Sequence, residues 1–314
     1  MSMTMPWARI DPLTAALYQV RMRGAFYSWT EAGGAVAVEM PRFEDTLSFH
    51  IVARGEAWLD IDGMAPARLR AGEMALVPRG IGHRIGSAPG APVIGRADDL
   101  PQTMLGDGFS ILRLWPEGKE APLAMLCGIV AFDSPTVQGM LAVLPALVQV
   151  DTARHPVMAA LLPLLAGEIH IPRPGGDAVA TRLADVLIIE TIRAWLADDP
   201  DSAGGWLAAL RDPQLGTVVA AIHGDPGHPW TLAELARRAA MSRSAFAARF
   251  AAVVGMPPMA YVALSRMRSA RARLADGDTV AAVALSLGYG SEAAFSRAFA
   301  RITGQTPGRI RRAA

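Results

Sequence analysis

The side chains in this chain best suited to chemistry are arginines, and they crowd one end of it. Between Thr231 and Ala314 stand 13 Arg, no Lys and 4 acids, a balance of +9, whereas the first 230 residues hold 17 basic and 25 acidic side chains, a balance of −8. The net charge of +1 conceals that division. Guanidinium groups in such excess bind polyanions, neutralising phosphates and pairing with guanine edges in a duplex groove. A merely solvated basic face has the same composition, so the charge must be joined to elements that could present it.

Those elements are written twice. The stretch SRSAFAARFAAVVGMPP, from Ser242 to Pro258, returns forty-nine residues later as SEAAFSRAFARITGQTP, from Ser291 to Pro307. Ser, Ala, Phe, Phe, Gly and Pro coincide in the skeleton S-x-x-x-F-x-x-x-F-x-x-x-x-G-x-x-P. Ser242 and Ser291 are placed to cap helices, the phenylalanines fall on one helical face, and Gly255 and Gly304 end the helices before Pro258 and Pro307. A short amphipathic helix precedes each copy. The first has Thr231 and Glu234 at capping-box spacing, and the second is expected to be capped by Asp278. Two helix-turn-helix units follow, at about 231–254 and 278–303.

Between them AYVALSRMRSARARLADG reads as a helix with Tyr261, Leu264, Met267, Ala270, Ala272 and Leu274 on its apolar side and Arg266, Arg268, Arg271 and Arg273 on the remaining surface. At 1.5 Å per residue it spans roughly 25 Å. Such a spacer suits two reading helices about one duplex turn, roughly 34 Å, apart. A helical scaffold that binds protein partners is the alternative reading of the same repeat.

With these motifs in view, residues from about Gly216 to the end resemble the DNA-binding domain of the AraC/XylS family of bacterial transcription regulators, most closely in GYGSEAAFSRAFARITGQTPGRIRR. The resemblance implies double-stranded promoter or operator DNA as partner, and RNA polymerase as a second partner if the protein activates. It implies that the second helix of each unit enters a major groove. Ser244, Ala247 and Ala248 would then face bases from the first, and Glu292, Ala293, Ala294 and Arg297 from the second. Ala248 departs from the family's habit of a long polar residue there, so base reading is expected to lean on Arg297, with Arg243, Arg249 and Arg301 at phosphates.

The N-terminal half has strand-like runs, LSFHIVARGEAWLDI and MALVPRGIGHRI, broken by glycines. The spacing from Gly72 through Pro78 and Gly80 to His83 resembles the second motif of the cupin β-barrel, and His50, Glu56 and Gly63 resemble a reduced first motif. Residues 8 to about 135 are thus similar to a cupin-type sensor domain, one that answers to a small molecule or a metal. The resemblance implies inward-facing histidines, so that His50, His83 and Cys127 could converge on a divalent transition metal such as zinc. An equally physical reading has the histidines satisfying one another while Cys127 is simply buried. A metal-dependent cupin enzyme would be short of a motif histidine, and no nucleophile–base pair is evident, so no enzymatic activity is expected.

From about 134 the pattern turns helical. AVATRLADVLIIETIRAWLADD carries an apolar face wide enough to serve a homodimer as well as its own domain. The organisation expected is therefore α+β, with a sensor domain over 8–196, a linker rich in acids, Pro and Gly over 197–215, and the DNA-binding domain over 216–314. A single cysteine excludes a disulfide framework. The first twenty residues lack a basic then apolar leader, and no run of eighteen apolar residues suggests a membrane span, which points to the cytoplasm.

Overall fold

The computed structural model describes residues 22–43, 45–105, 108–116, 119–132, 135–170, 173–198 and 205–313. The start of the expected sensor domain, residues 8–21, lies outside them, as does the leader region. Among the described residues two compact units emerge: one of 22–132 together with 144–198, the other of 135–143 together with 205–313.

The first unit is built on strands β1 (Met22–Ala32), β2 (Ala37–Met40), β3 (Thr46–Arg54), β4 (Glu56–Asp60), β5 (Ala67–Arg70), β6 (Glu73–Val77), β7 (His83–Gly86), β8 (Val93–Arg96), β9 (Thr103–Met104), β10 (Phe109–Leu114), β11 (Leu123–Phe132) and β12 (Val148–Asp151). The expected β-barrel takes the form of two sheets among the described residues. The larger has the order β12-β6-β3-β11-β1-β10-β9 and the smaller β5-β4-β7-β2-β8. In β3, Ser48, His50 and Val52 alternate with Leu47, Phe49 and Ile51, yet all six are buried. A sheet covered on both faces has that signature.

Side chains of the two sheets fill one face, with Val52, Ala75, Val77, Met125 and Cys127 meeting Ala57, Leu59, Leu69 and Ile85. The helix Gly176–Asp198 supplies part of the other cover. Helices α1 (Pro135–Val143), α2 (Pro156–His170) and α3 (Gly176–Asp198) follow β11 in the chain. Within α3, Thr191 Oγ1 donates to Met74 Sδ at 3.2 Å. Leu187, Ile188 and Ile192 are buried. Thus much of the apolar face considered for a homodimer is spent inside its own unit, while Val179 and Val186 stay exposed.

The glycines of the cupin-like spacing have a steric basis. Gly80 has φ +56°, and an added Cβ would lie 1.5 Å from the Phe43 carbonyl oxygen. Glu56 of the reduced first motif points outward to an ion pair with Arg68.

The second unit is helical: α1, α4 (Gly205–Arg211), α5 (Pro213–Gly224), α6 (Leu232–Arg238), α7 (Arg243–Val254), α8 (Pro258–Ala275), α9 (Val280–Ser286), α10 (Glu292–Thr303) and α11 (Pro307–Ala313). The stretch expected to be a linker, 197–215, carries α4 and the first turn of α5. Trp206, Leu207, Ala209 and Leu210 are buried, because the apolar WLAAL lies between the Pro, Gly and Asp residues that read as a junction. Trp206 Nε1 donates to the Gly139 carbonyl of α1 at 3.1 Å, which ties α1 into this unit and not the preceding one.

Candidate functional site

The repeat gives two matching helix-turn-helix units. Ser242 Oγ accepts from Ala245 N at 3.3 Å and Ser291 Oγ from Ala294 N at 3.1 Å, so both reading helices begin with the side-chain cap their sequence promised. Thr231 caps α6 as expected. At α9 the cap is Thr279, which accepts from Ala282 N at 3.2 Å; the expected cap, Asp278, instead takes a 2.7 Å bond from Arg273 Nε. Gly255 and Gly304 occupy the left-handed region at φ 81° and 72°, closing α7 and α10 at the same step.

Each reading helix is fixed by its two phenylalanines. Phe246, Phe250, Phe295 and Phe299 are completely buried, with ring centroids 5.4 Å apart in the first pair and 5.6 Å in the second. At four residues' separation both rings of a pair occupy one face, and burying each contributes about 1.5–3 kcal/mol. Helical periodicity then turns Ser244 and Ala248 outward from α7, and Ala293, Arg297 and Arg301 outward from α10. All five are exposed, as are Arg243 and Glu292, while Ala247 and Ala294 are half-buried.

The arginines are not equivalent. Arg243, Arg297 and Arg301 make no hydrogen bond or ion pair with any described residue, so their donors are open to a ligand. Arg249, assigned by the sequence to a phosphate, is instead engaged: it pairs with Asp212 and donates to Gln214 Oε1 at 2.9 Å. The spacer arginines are also largely occupied. Arg266 donates to the carbonyls of Pro226 (2.9 Å) and His228 (2.8 Å) and lies over the Tyr289 ring, bridging the entry to the first unit and the turn of the second. Arg273 holds Asp278 and Ser286. Arg268 is largely enclosed, which depresses its pKa. The expectation that all four spacer arginines line the free surface is therefore corrected: a helix packed between two units turns Arg266 and Arg273 to neighbouring carbonyl, carboxylate and hydroxyl oxygens.

In the first unit the structure does bring His50, His83 and Cys127 together. Ser28, Cys127, His50 and Ala75 form one row across β1, β11, β3 and β6, facing the smaller sheet. His83 reaches across from β7. The contacts form a chain: Cys127 Sγ to His50 Nδ1 at 3.1 Å, His50 Nε2 to His83 Nε2 at 2.7 Å, and His83 Nδ1 to the Ile81 carbonyl at 3.0 Å.

The Ile81 carbonyl only accepts, so His83 carries its proton on Nδ1, and its Nε2 accepts from His50; His50 Nδ1 then accepts from the Cys127 thiol. Every polar atom is satisfied with both rings neutral and the thiol protonated. Burial depresses both histidines, His83 to about 4 and His50 well below its ordinary range, where the neighbouring His83 adds to the effect. Burial pushes the Cys127 thiol up to about 12, partly opposed by a bond with Thr30. This arrangement does not fit a zinc ion. His50 spends one nitrogen on each neighbour, so the three donors do not converge on a point about 2.0–2.3 Å from all of them. Among the described residues no group of three or more His, Cys, Asp or Glu is placed to hold a metal ion.

Next to this chain lies a cavity of about 730 Å³, reached by Ser28, Thr30 and Cys127 from one sheet and Val38, Met40 and Ile85 from the other. Nothing local in the sequence announces it beyond the cupin-like spacing, because its lining is drawn from strands far apart in the chain.

Comparison with known proteins agrees with this architecture. A cupin family model matches residues 11–197, and a helix-turn-helix domain model matches residues 235–313. An AraC-like transcription regulator of Streptomyces lividans is 33% identical over 96% of this chain and 98% of its own length. Another, from Streptomyces antibioticus, is 34% identical over 96% and 99%. The transcriptional regulator MtrA of Neisseria gonorrhoeae is 30% identical over 84% and 85%. Among solved structures, ToxT from Vibrio cholerae aligns over 91% of this chain and 95% of its own at 11% identity and a TM-score of 0.36. The chain belongs to the AraC family of DNA-binding transcription regulators, with a cupin-type domain ahead of its helix-turn-helix domain.

Proposed function

We propose that this regulator reads a two-part operator through α7 and α10, with Arg297 as its principal base-reading side chain, and that a small molecule in the cavity of the first unit sets its affinity for that operator. The observation that carries the reading is the contrast between Arg297 and Arg249. Arg297 is exposed with all its donors open, whereas Arg249 is held by Asp212 and Gln214. An arginine free to present both outer nitrogens is the side chain that pairs with guanine O6 and N7.

On the same reading the chain acts by binding and not by catalysis: its cysteine is a protonated, buried thiol, and its relatives are transcription regulators. It works in the cytoplasm, in contact with RNA polymerase where it activates, and pairs as a homodimer through exposed apolar side chains of α2 and α3, among them Leu164 and Val186. No single helix among the described residues is long and apolar enough to cross a membrane. Selection of bound sequences from a random duplex library by the full-length protein tests the reading. Enrichment of a motif with two half-sites about one helical turn apart is expected; recovery of sequences no different from the input would overturn it.

A further inference from the structure

The cavity's lining limits what can occupy it. Apolar side chains predominate, including Phe26, Met40, Leu100, Leu112 and Met125. A volume of about 730 Å³ lies in the range of about 300–1,000 Å³ that holds drug-sized molecules. Asp98 is the one charged side chain among the described residues that line it, and it is already engaged. Arg96 grips its carboxylate from Nη2 at 2.8 Å and Nε at 3.1 Å. Arg96 neutralises that carboxylate from outside the lining, so the pair carries no net charge.

The uncharged polar groups are mostly committed as well. Gln102 Oε1 accepts from Ser110 Oγ at 2.5 Å and from Ser28 Oγ at 3.4 Å, and its Nε2 donates to the Ala97 carbonyl at 2.6 Å. That leaves Gln102 one amide hydrogen with no partner among the described residues. Thr30 is turned to Cys127, whose thiol donates its proton to His50 Nδ1. A carboxylate or phosphate entering here would give up its hydration with no counter-charge in the lining, and an ammonium would find its one anion already neutralised.

We propose that the cavity takes an uncharged, predominantly apolar molecule bearing one hydrogen-bond acceptor, to which the free amide hydrogen of Gln102 donates. The proposal rests on reading the cavity as the effector site and adds the chemical class of the effector. Carboxylates, phosphates and ammonium ions are excluded by the same lining that admits the neutral molecule.

The test uses full-length protein at pH 8 and three probes of equal chain length, 1-dodecanol, dodecanoate and dodecylammonium, each competing with the neutral dye Nile red. Dodecanol is expected to displace the dye at least tenfold more effectively than either ion. Gln102→Ala should weaken dodecanol several-fold without changing displacement by dodecane, an added apolar control that lacks the acceptor, and Leu100→Arg should bring dodecanoate up towards dodecanol. If wild-type protein takes dodecanoate or dodecylammonium as well as or better than dodecanol, the assigned class is wrong while the cavity remains a ligand site. If no probe displaces the dye, and filling the cavity with Ala131→Phe leaves dye binding unchanged, the effector site and the class assigned to it fall together. The wild-type comparison decides the matter even where a variant fails to fold.

Discussion

Arg249, on the first reading helix, holds Asp212, the residue that caps α5. The Asp212 carboxylate also accepts from Gln214 N at 2.9 Å and Leu215 N at 3.1 Å, so one acid starts α5 and anchors α7. Its side chain is 14% exposed against 44% for Arg249. Burial alone would raise the Asp212 pKa, but the two amides and Arg249 outweigh it and hold the carboxyl below its usual range. The position of α7 is thus set by a polar tie as well as by Phe246 and Phe250.

This tie separates Arg249 from Arg243, although both are exposed arginines on one helix. Arg243→Ala should lower the slope of log K against log salt by about 0.9, the loss of one phosphate contact. Arg249→Ala should instead lower unfolding stability by about 0.5–1.5 kcal/mol, discounted for the exposure of the guanidinium, with little change in the slope. Denaturant unfolding and a salt titration of operator binding, run on both variants, check the distinction. A slope change in Arg249→Ala equal to that in Arg243→Ala would return Arg249 to the phosphates.

The histidine chain predicts how stability depends on pH. Both rings are neutral when folded, with pKa values depressed below the ordinary 6.5, whereas the unfolded chain takes up protons near 6.5. The unfolded state therefore binds more protons once pH drops below about 6.5, and stability falls as pH falls towards 4. His223 adds to the trend from the second unit, its pKa lowered to about 3 by burial and by nearby Arg268. Thermal melting of the full chain should be flat from pH 8 to 7 and drop steadily below 6.5. A melting temperature that stayed level from pH 7 to 5 would show that these rings are not buried and neutral.

The same geometry bears on metal and on thiol chemistry. Because Cys127 is buried and protonated, iodoacetamide should leave the native protein unmodified at pH 7.5 and label it fully in denaturant. Protein purified without chelator is expected to carry well under one equivalent of zinc by elemental analysis. One full equivalent, lost in His83→Ala, would mean that the rings rearrange around an ion and that the hydrogen-bonded chain is not the resting arrangement.

What the sequence revealed and what it withheld follow a physical division. The double helix-turn-helix was legible because local signals determine it: Ser242 and Ser291 cap, paired phenylalanines set a face, Gly255 and Gly304 stop the helix. The approach of His50 to His83 and Cys127 was implied only by the resemblance of the glycine and proline spacing to the cupin motif, and no local signal marked Cys127 itself. The ties of Arg249, Arg266 and Arg273 were not, because a guanidinium's partner lies at the end of a long side chain and is chosen by tertiary packing. Helix α4 was hidden for a related reason: flanking Gly, Pro and Asp residues suggest a junction, and only the burial of Trp206 and Leu207 reveals that the stretch belongs to the packed unit. The cavity of the first unit has no local signal beyond the cupin-like spacing, being assembled from β1, β2, β7, β10 and β11 at once.

The remaining prediction concerns sequence discrimination and rests on the unequal side chains at matched positions, Ala248 on α7 and Arg297 on α10. Both are exposed, and their phenylalanine frameworks superimpose in sequence, so they present different chemistry from equivalent places. Arginine offers guanine two hydrogen bonds worth about 1–3 kcal/mol of discrimination, whereas alanine offers a thymine methyl only an apolar contact. Arg297→Ala should therefore weaken operator binding roughly tenfold or more and relax the preference at one or two base pairs of a single half-site. Changes at the other half-site should be unaffected, since Ala248 and Ser244 are unaltered there. Binding of the wild type and of Arg297→Ala to every single-base variant of the operator gives the answer. If the two profiles differ only by a uniform factor, Arg297 sits on a phosphate, and the burden of base recognition passes to Ser244, Glu292 and the shape of the DNA.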